Sequence, residues 1–166
     1  VYVDTNIMDG RNIVYMNANE ENGFLPMPDE AVKAGLIYLC SPNNPTGKTI
    51  PRALLESVLQ QCKKQHTHVL LDECFLDFTD EKSAQDLLPQ FENLLILKAF
   101  TKNFALAGAR VGYCLTENRA LLRKMSQSSQ PWNVSLPAQA AGVAALQEWS
   151  WVSRAVSYTH LTLPTK

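Results

Sequence analysis

Leu36-Ile37-Tyr38-Leu39-Cys40, followed at once by Ser41-Pro42-Asn43-Asn44-Pro45-Thr46-Gly47, sets the pattern of the whole chain. A compact apolar run reads as a buried strand, and the Ser, Pro, Asn and Gly cluster behind it reads as a turn-rich loop. The same alternation continues outward. Pro51 opens a helix to about Gln65, with Leu54, Leu55, Val58, Leu59 and Cys62 on one apolar stripe. Val69-Leu70-Leu71 is the next buried strand and ends at Asp72-Glu73; Leu94-Leu95-Ile96-Leu97 is a third and ends near Phe100-Thr101-Lys102. A further strand is expected from Ala109 to Leu115. Helices are expected from Asn118 to about Gln127 and from Pro137 to about Trp149, the second rich in alanine as suits close helix packing. Continuous apolar strands separated by helices predict an α/β fold, a mostly parallel sheet with helices on both faces. Ligands of such sheets bind at the carboxyl ends of the strands, and Asn44, Asp72 and Lys102 all fall just past strand ends.

The composition fits a globular domain: 166 residues, 46% hydrophobic, 19% charged, net charge −1. That charge balance offers no basic surface for nucleic acid or an anionic membrane. No apolar run is long enough to span a bilayer, and the first residues have no signal-peptide pattern. Cys40, Cys62, Cys74 and Cys114 form no Cys-x-x-Cys pair and read as buried free thiols of a cytoplasmic protein. His66 and His68 lack further ligands nearby and read as surface residues rather than a metal pair. The chain starts without Met and is expected to lie within a longer protein.

The segment Phe100-Thr101-Lys102-Asn103-Phe104-Ala105-Leu106-Ala107-Gly108-Ala109-Arg110-Val111-Gly112-Tyr113 holds the densest chemistry. A lysine amine can attack an aldehyde. An arginine eight residues later can grip a phosphate through two parallel hydrogen bonds, Thr101 can add a neutral donor, and Gly108 and Gly112 allow close backbone approach. This segment resembles the cofactor-lysine motif of the class I/II aminotransferases, pyridoxal-phosphate enzymes of fold type I. Asn44-Pro45-Thr46-Gly47 and Asp72 match two other motifs of that family in the same order, and the resemblance extends from residue 1 to about 152.

The resemblance implies a partial cofactor-binding large domain over 1–115 and helices leading toward a small domain over 116–155. It implies pyridoxal 5′-phosphate as cofactor, with no metal, bound through a Schiff base to Lys102. Asp72 would pair with the pyridine nitrogen, Asn44 would donate to the ring oxygen, and Thr101 and Arg110 would hold the phosphate. Lys102 would also shuttle a proton to and from the substrate. The implied partners are a small-molecule amino-acid substrate and, for the parent protein, a second identical subunit. Two positions depart from the family: Phe75 stands where a tyrosine is common, and Ala99 where Ser or Thr is common.

Leu71 to Phe78 and Gln130 to Ser135 look like the threonine-phosphate decarboxylase branch, near histidinol-phosphate aminotransferase. Val1 to Asn6 and Glu20 to Phe24 look like LL-diaminopimelate aminotransferase. The change falls at the Pro42–Gly47 loop, so either one natural sequence or a join of two genes is implied. Residues 156–166 follow no helix or strand logic, resemble a translated sequencing adapter, and are set aside as an artefact tail. The expected activity of the parent is transamination of an amino acid or amino-acid phosphate. The alternatives are decarboxylation of threonine phosphate, a sensor domain of a transcription regulator, and a fragment inert by itself.

Overall fold

The computed structural model describes residues 2–25, 33–148, 150–152 and 154, so the 156–166 tail lies outside the described residues. Among the described residues the α-helices and strands follow in order: α1 (Tyr2–Met8), β1 (Leu36–Cys40), α2 (Arg52–Lys64), β2 (His68–Asp72), β3 (Leu94–Ala99), β4 (Gly112–Leu115), α3 (Arg119–Ser128) and α4 (Leu136–Gln147). The four strands form one sheet in the order β1-β2-β3-β4. β1, β2 and β3 are parallel, and β4 returns antiparallel to β3. This is the mostly parallel α/β sheet that the apolar runs predict.

Register decides which side chains share a face. Ile37 pairs with Val69 and Leu39 with Leu71; Val69 pairs with Leu94 and Leu71 with Ile96. These residues point to one side. There they pack with Leu55, Val58, Leu59 and Cys62, the i, i+3, i+4, i+7 stripe of α2, in the main hydrophobic core. Tyr38, Leu70, Asp72 and Leu97 occupy the other side, where α1 lays its Tyr2 ring on Tyr38 with centroids 4.7 Å apart. Lys63 and Lys64 close the last turn of α2, where positive charge suits the helix dipole.

The fourth strand starts later than its sequence suggests. Ala107–Ala109 is a short 3-10 turn and Arg110 takes φ 53, so the chain joins β4 only at Gly112. The chain must reverse between β3 and its antiparallel neighbour, and the left-handed residue does so. Gly112 is required where it stands: a Cβ there would lie 2.7 Å from the Lys98 carbonyl oxygen. Among the described residues no neighbour lies within 4 Å of a Cβ at Gly108, so only Gly112 is seen to serve close approach. All four cysteines are free; Cys62 is buried, whereas Cys40, Cys74 and Cys114 are half-buried, because strand ends are less covered than the α2 stripe. Among the described residues no helix is long and apolar enough to cross a membrane.

A second, smaller core forms beyond β3. Phe100 and Phe104 stack with centroids 5.2 Å apart and pack with Val152, Leu106, Val111 and Ala145. Ala138 and Gly142 form a small, buried face of α4, and Val111 comes within 3.9 Å of where a Gly142 Cβ would be. The alanine-rich helix thus supports the turn between β3 and β4.

Leu59 is fully buried under the sheet while its neighbour Gln60 is exposed. Leu59→Ala is expected to lower unfolding free energy by about 2–5 kcal/mol. Gln60→Ala should change it by less than about 0.5 kcal/mol. Urea denaturation of both variants checks the assignment, and equal effects would refute it.

Candidate active site at the strand ends

Because β1, β2 and β3 are parallel, the loops that leave them lie side by side. Backbone bonds continue the adjacency past the strands: Ser41 N–H donates to Asp72 O at 3.0 Å and Glu73 N–H to Leu97 O at 3.0 Å. The loop after β1 is organised by Asn43, not Asn44. The Asn43 side-chain oxygen accepts from the Thr46 hydroxyl at 2.8 Å, and the Asn43 backbone bonds Gly47 and Lys48. Gly47 supplies the left-handed turn with φ 68. Asn44 is exposed; its backbone N–H reaches the Cys40 sulfur, and its side-chain amide makes no hydrogen bond with another described residue.

Asp72 closes β2. Its Oδ1 accepts the Cys74 N–H at 2.9 Å, and its Oδ2 accepts the Tyr2 hydroxyl. Tyr2 is held in turn: it stacks on Tyr38, and the Asn6 amide bonds both the Tyr2 carbonyl at 2.7 Å and the Tyr38 hydroxyl at 3.2 Å. Burial and then the Asp72 carboxylate push the Tyr2 phenol well above its ordinary range. Burial, followed by the bond to Asp72, pushes the Cys74 thiol up to about 12. Burial, then the charge of Asp72, also raises Cys40. Low exposure and a fixed carboxylate together make this pocket of the surface hold protons.

The next residue faces the opposite way, as strand alternation requires. Glu73 is 3% exposed and forms an ion pair with Lys98 at 2.9 Å. It also accepts from the Ser83 hydroxyl at 2.6 Å and the Ala84 N–H at 2.8 Å. A cavity of about 600 Å³ opens on that side and is lined by Glu73, Lys98, Asp77, Asn103 and Tyr113 among others. It includes none of Asn44, Asp72 or Lys102, and its Glu73 and Lys98 are already paired with each other.

Thr101, Lys102 and Arg110 share the loop after β3. Its ends are tied by Phe100 N–H to Val111 O at 3.2 Å, and Leu106 N–H returns to Phe100 O at 3.1 Å. Phe100 and Phe104 bury themselves on either side of Lys102, which leaves the lysine outside. Its Nζ lies 5.2 Å from the centre of the Phe75 ring, three residues beyond Asp72. The Arg110 guanidinium is exposed and donates to the Ala107 carbonyl at 3.2 Å. Thr101 is half-buried. Lys102 is thereby brought to the Asp72 loop through Phe75, and Asn44 lies on the adjoining strand end. Arg110 shares a closed loop with Lys102, and its guanidinium bonds locally to Ala107. Sequence reading missed Tyr2, Tyr38 and Asn6; a tyrosine seventy residues from Asp72 carries no local signal of that bond. Among the described residues no cluster of three or more His, Cys, Asp or Glu side chains could hold a metal ion.

A profile of the aminotransferase class I and II family matches residues 11–158. The chain is 34% identical over 118 residues to threonine-phosphate decarboxylase of Salmonella typhimurium, an overlap of 69% of this chain and 32% of that protein. It is 41% identical over 113 residues to histidinol-phosphate aminotransferase of Vibrio parahaemolyticus, covering 68% and 32%. The crystal structure of histidinol-phosphate aminotransferase from Sinorhizobium meliloti in complex with pyridoxal-5′-phosphate superposes with TM-score 0.67 and 26% identity, covering 74% of this chain and 33% of that one. The chain spans about a third of the length of these relatives.

The raised thiol of Cys74 has a consequence for stability. An unfolded thiol titrates near 9 and the folded one near 12, so the stability it contributes is complete below pH 9 and is lost as pH rises toward 12. Urea midpoints measured from pH 8 to 11 should fall, and Cys74→Ala should flatten that fall. An unchanged alkaline slope in Cys74→Ala would refute the placement of this thiol beside Asp72.

Proposed function

Since the chain belongs to the aminotransferase class I and II family, we propose that it carries part of the pyridoxal 5′-phosphate site of an aminotransferase acting on an amino acid or amino-acid phosphate. One observation carries this reading: the Lys102 amine lies 5.2 Å from the ring centre of Phe75, three residues past Asp72 on the loop that leaves the neighbouring strand. The donor set fits the cofactor. An amine, a guanidinium, a hydroxyl and an amide stand outside ion pairs with protein carboxylates among the described residues, and the Asp72 carboxylate is anchored by neutral donors. That is the complement of an aldehyde, a phosphate, a ring oxygen and a basic ring nitrogen.

Lys102 would hold the aldehyde carbon, Asp72 the ring nitrogen, Asn44 the ring oxygen, and Thr101 with Arg110 the phosphate. When bound, the cofactor supplies an electron-withdrawing ring that stabilises negative charge at the substrate Cα. Asp72 would make the ring nitrogen more basic by the same charge that, after burial, raises Tyr2, Cys40 and Cys74. The bonds from Tyr2 and Cys74 N–H hold its plane. Arg110 offers a planar fork suited to phosphate geometry. Lys102 Nζ would be the basic atom that takes a proton from the substrate Cα and returns it. Phe75 lies against that amine and contributes a ring face rather than a hydroxyl. On the family resemblance, the whole protein is taken as a cytoplasmic homodimer.

A second reading, decarboxylation of threonine phosphate, is favoured by Phe75 and by the 34% identity to the Salmonella enzyme. It uses the same residues and differs in which bond at the substrate Cα is broken.

Titrating the chain with pyridoxal phosphate should produce a visible absorption band that Lys102→Ala abolishes. A band that persists unchanged in Lys102→Ala would overturn the choice of lysine.

A further inference from the structure

Asp72 and Lys102 stand on two separate loops, so the distance between them depends on what ties those loops together. The backbone bond nearest the site is Glu73 N–H to Leu97 O, still at the strand ends. Further out, a side-chain bond joins the two loops: Asn103 Nδ2 donates to Asp77 Oδ2 at 2.6 Å. Asn103 is 8% exposed, and its own Oδ1 accepts the Phe104 N–H at 3.0 Å. Both polar ends of this buried amide are therefore engaged, and the amide orientation is set.

The placement of the bond is specific. Asn103 is the residue next to Lys102, and Asp77 is two residues past Phe75, whose ring lies against the Lys102 amine. Phe104 then anchors the same loop from below through its stack on Phe100. The clasp fixes the backbone of Lys102 against the loop that Asp72 begins, while the long lysine side chain alone would leave that spacing loose. A bond to a carboxylate is stronger than a neutral one.

We propose that Asn103 and Asp77 are positioning residues that set Lys102 against Asp72 for the cofactor. This rests on the reading of Lys102 and Asp72 given above. Neither Asn103 nor Asp77 touches the cofactor in this account; they act through the lysine.

The test uses the full chain, pyridoxal phosphate and borohydride reduction, followed by peptide mapping of the labelled lysines. In the unaltered chain, label should concentrate on Lys102 over the exposed Lys48 and Lys64. Asn103→Asp puts two carboxylates face to face. It should lower the Lys102 share about tenfold, the worth of one charge-assisted hydrogen bond, with Lys48 and Lys64 unchanged. The exchange Asn103→Asp with Asp77→Asn rebuilds the bond in the opposite direction and should restore the share. A merely structural role would not give that selective loss and rescue. Should Asn103→Asp unfold the chain, Asp77→Asn, which keeps an acceptor oxygen, is read instead and should show a smaller loss. An unchanged Lys102 share in the folded single variant, or no rescue by a folded exchange variant, overturns the clasp alone. Label spread evenly over lysines in the unaltered chain overturns the lysine assignment, and the clasp with it.

Discussion

Glu73 and Lys98 meet at 2.9 Å where β2 and β3 end, with little of either side chain in water. Ser83 and Ala84 complete the carboxylate. Removing one partner of such a pair leaves a buried charge and costs about 3–5 kcal/mol. The pair therefore holds the phase of β2 at its last residues. Strand alternation then leaves Asp72 the opposite face, beside Tyr38 and Cys40. A slip of one residue would exchange the two carboxylates and turn Val69 and Leu71 out of the core. The face that Asp72 takes is thus set together by the core residues of β2 and the ion pair behind it.

The two loops that carry the proposed cofactor residues are supported differently. The Asp72 end is stiffened by a strand and by donors from Tyr2 and the Cys74 backbone. The Lys102 end is a loop held by apolar anchors, Phe100 and Phe104, on a small core that includes α4 residues through Ala145. This arrangement turns Lys102 outward, because the aromatic residues on either side point inward. It also explains why Gly112 and the left-handed Arg110 matter: without the close β3–β4 approach the loop would have no second wall.

Electrostatics adds a division of labour. On the α2 side, charges cancel within the Glu73–Lys98 pair. On the other side Asp72 is met by neutral donors, and its charge adds to burial in raising the proton affinity of Tyr2, Cys40 and Cys74. A carboxylate satisfied by hydrogen bonds and not by a cation keeps its charge available to a ligand. That is the property a bound heteroaromatic cation requires.

The order of elements, the parallel sheet, the α2 stripe and the strand-end positions of Asn44, Asp72 and Lys102 were legible in the chain. Apolar period and turn chemistry are local, and parallel strands place their loops at one edge. Arg110 was legible as a residue beside Lys102, but its left-handed conformation and the late start of β4 were not, since both follow from pairing with β3. The bond of Tyr2 to Asp72 and that of Asn103 to Asp77 join residues 70 and 26 positions apart. Nothing in the spacing of those residues encodes them. Asn43 and Asn44 look alike in sequence, and only the folded turn assigns one to the loop and leaves the other open. Local pattern determined which residues end the strands; three-dimensional packing decided which side chains meet there, because hydrogen bonds and ring contacts depend on distances that only the assembled sheet brings about.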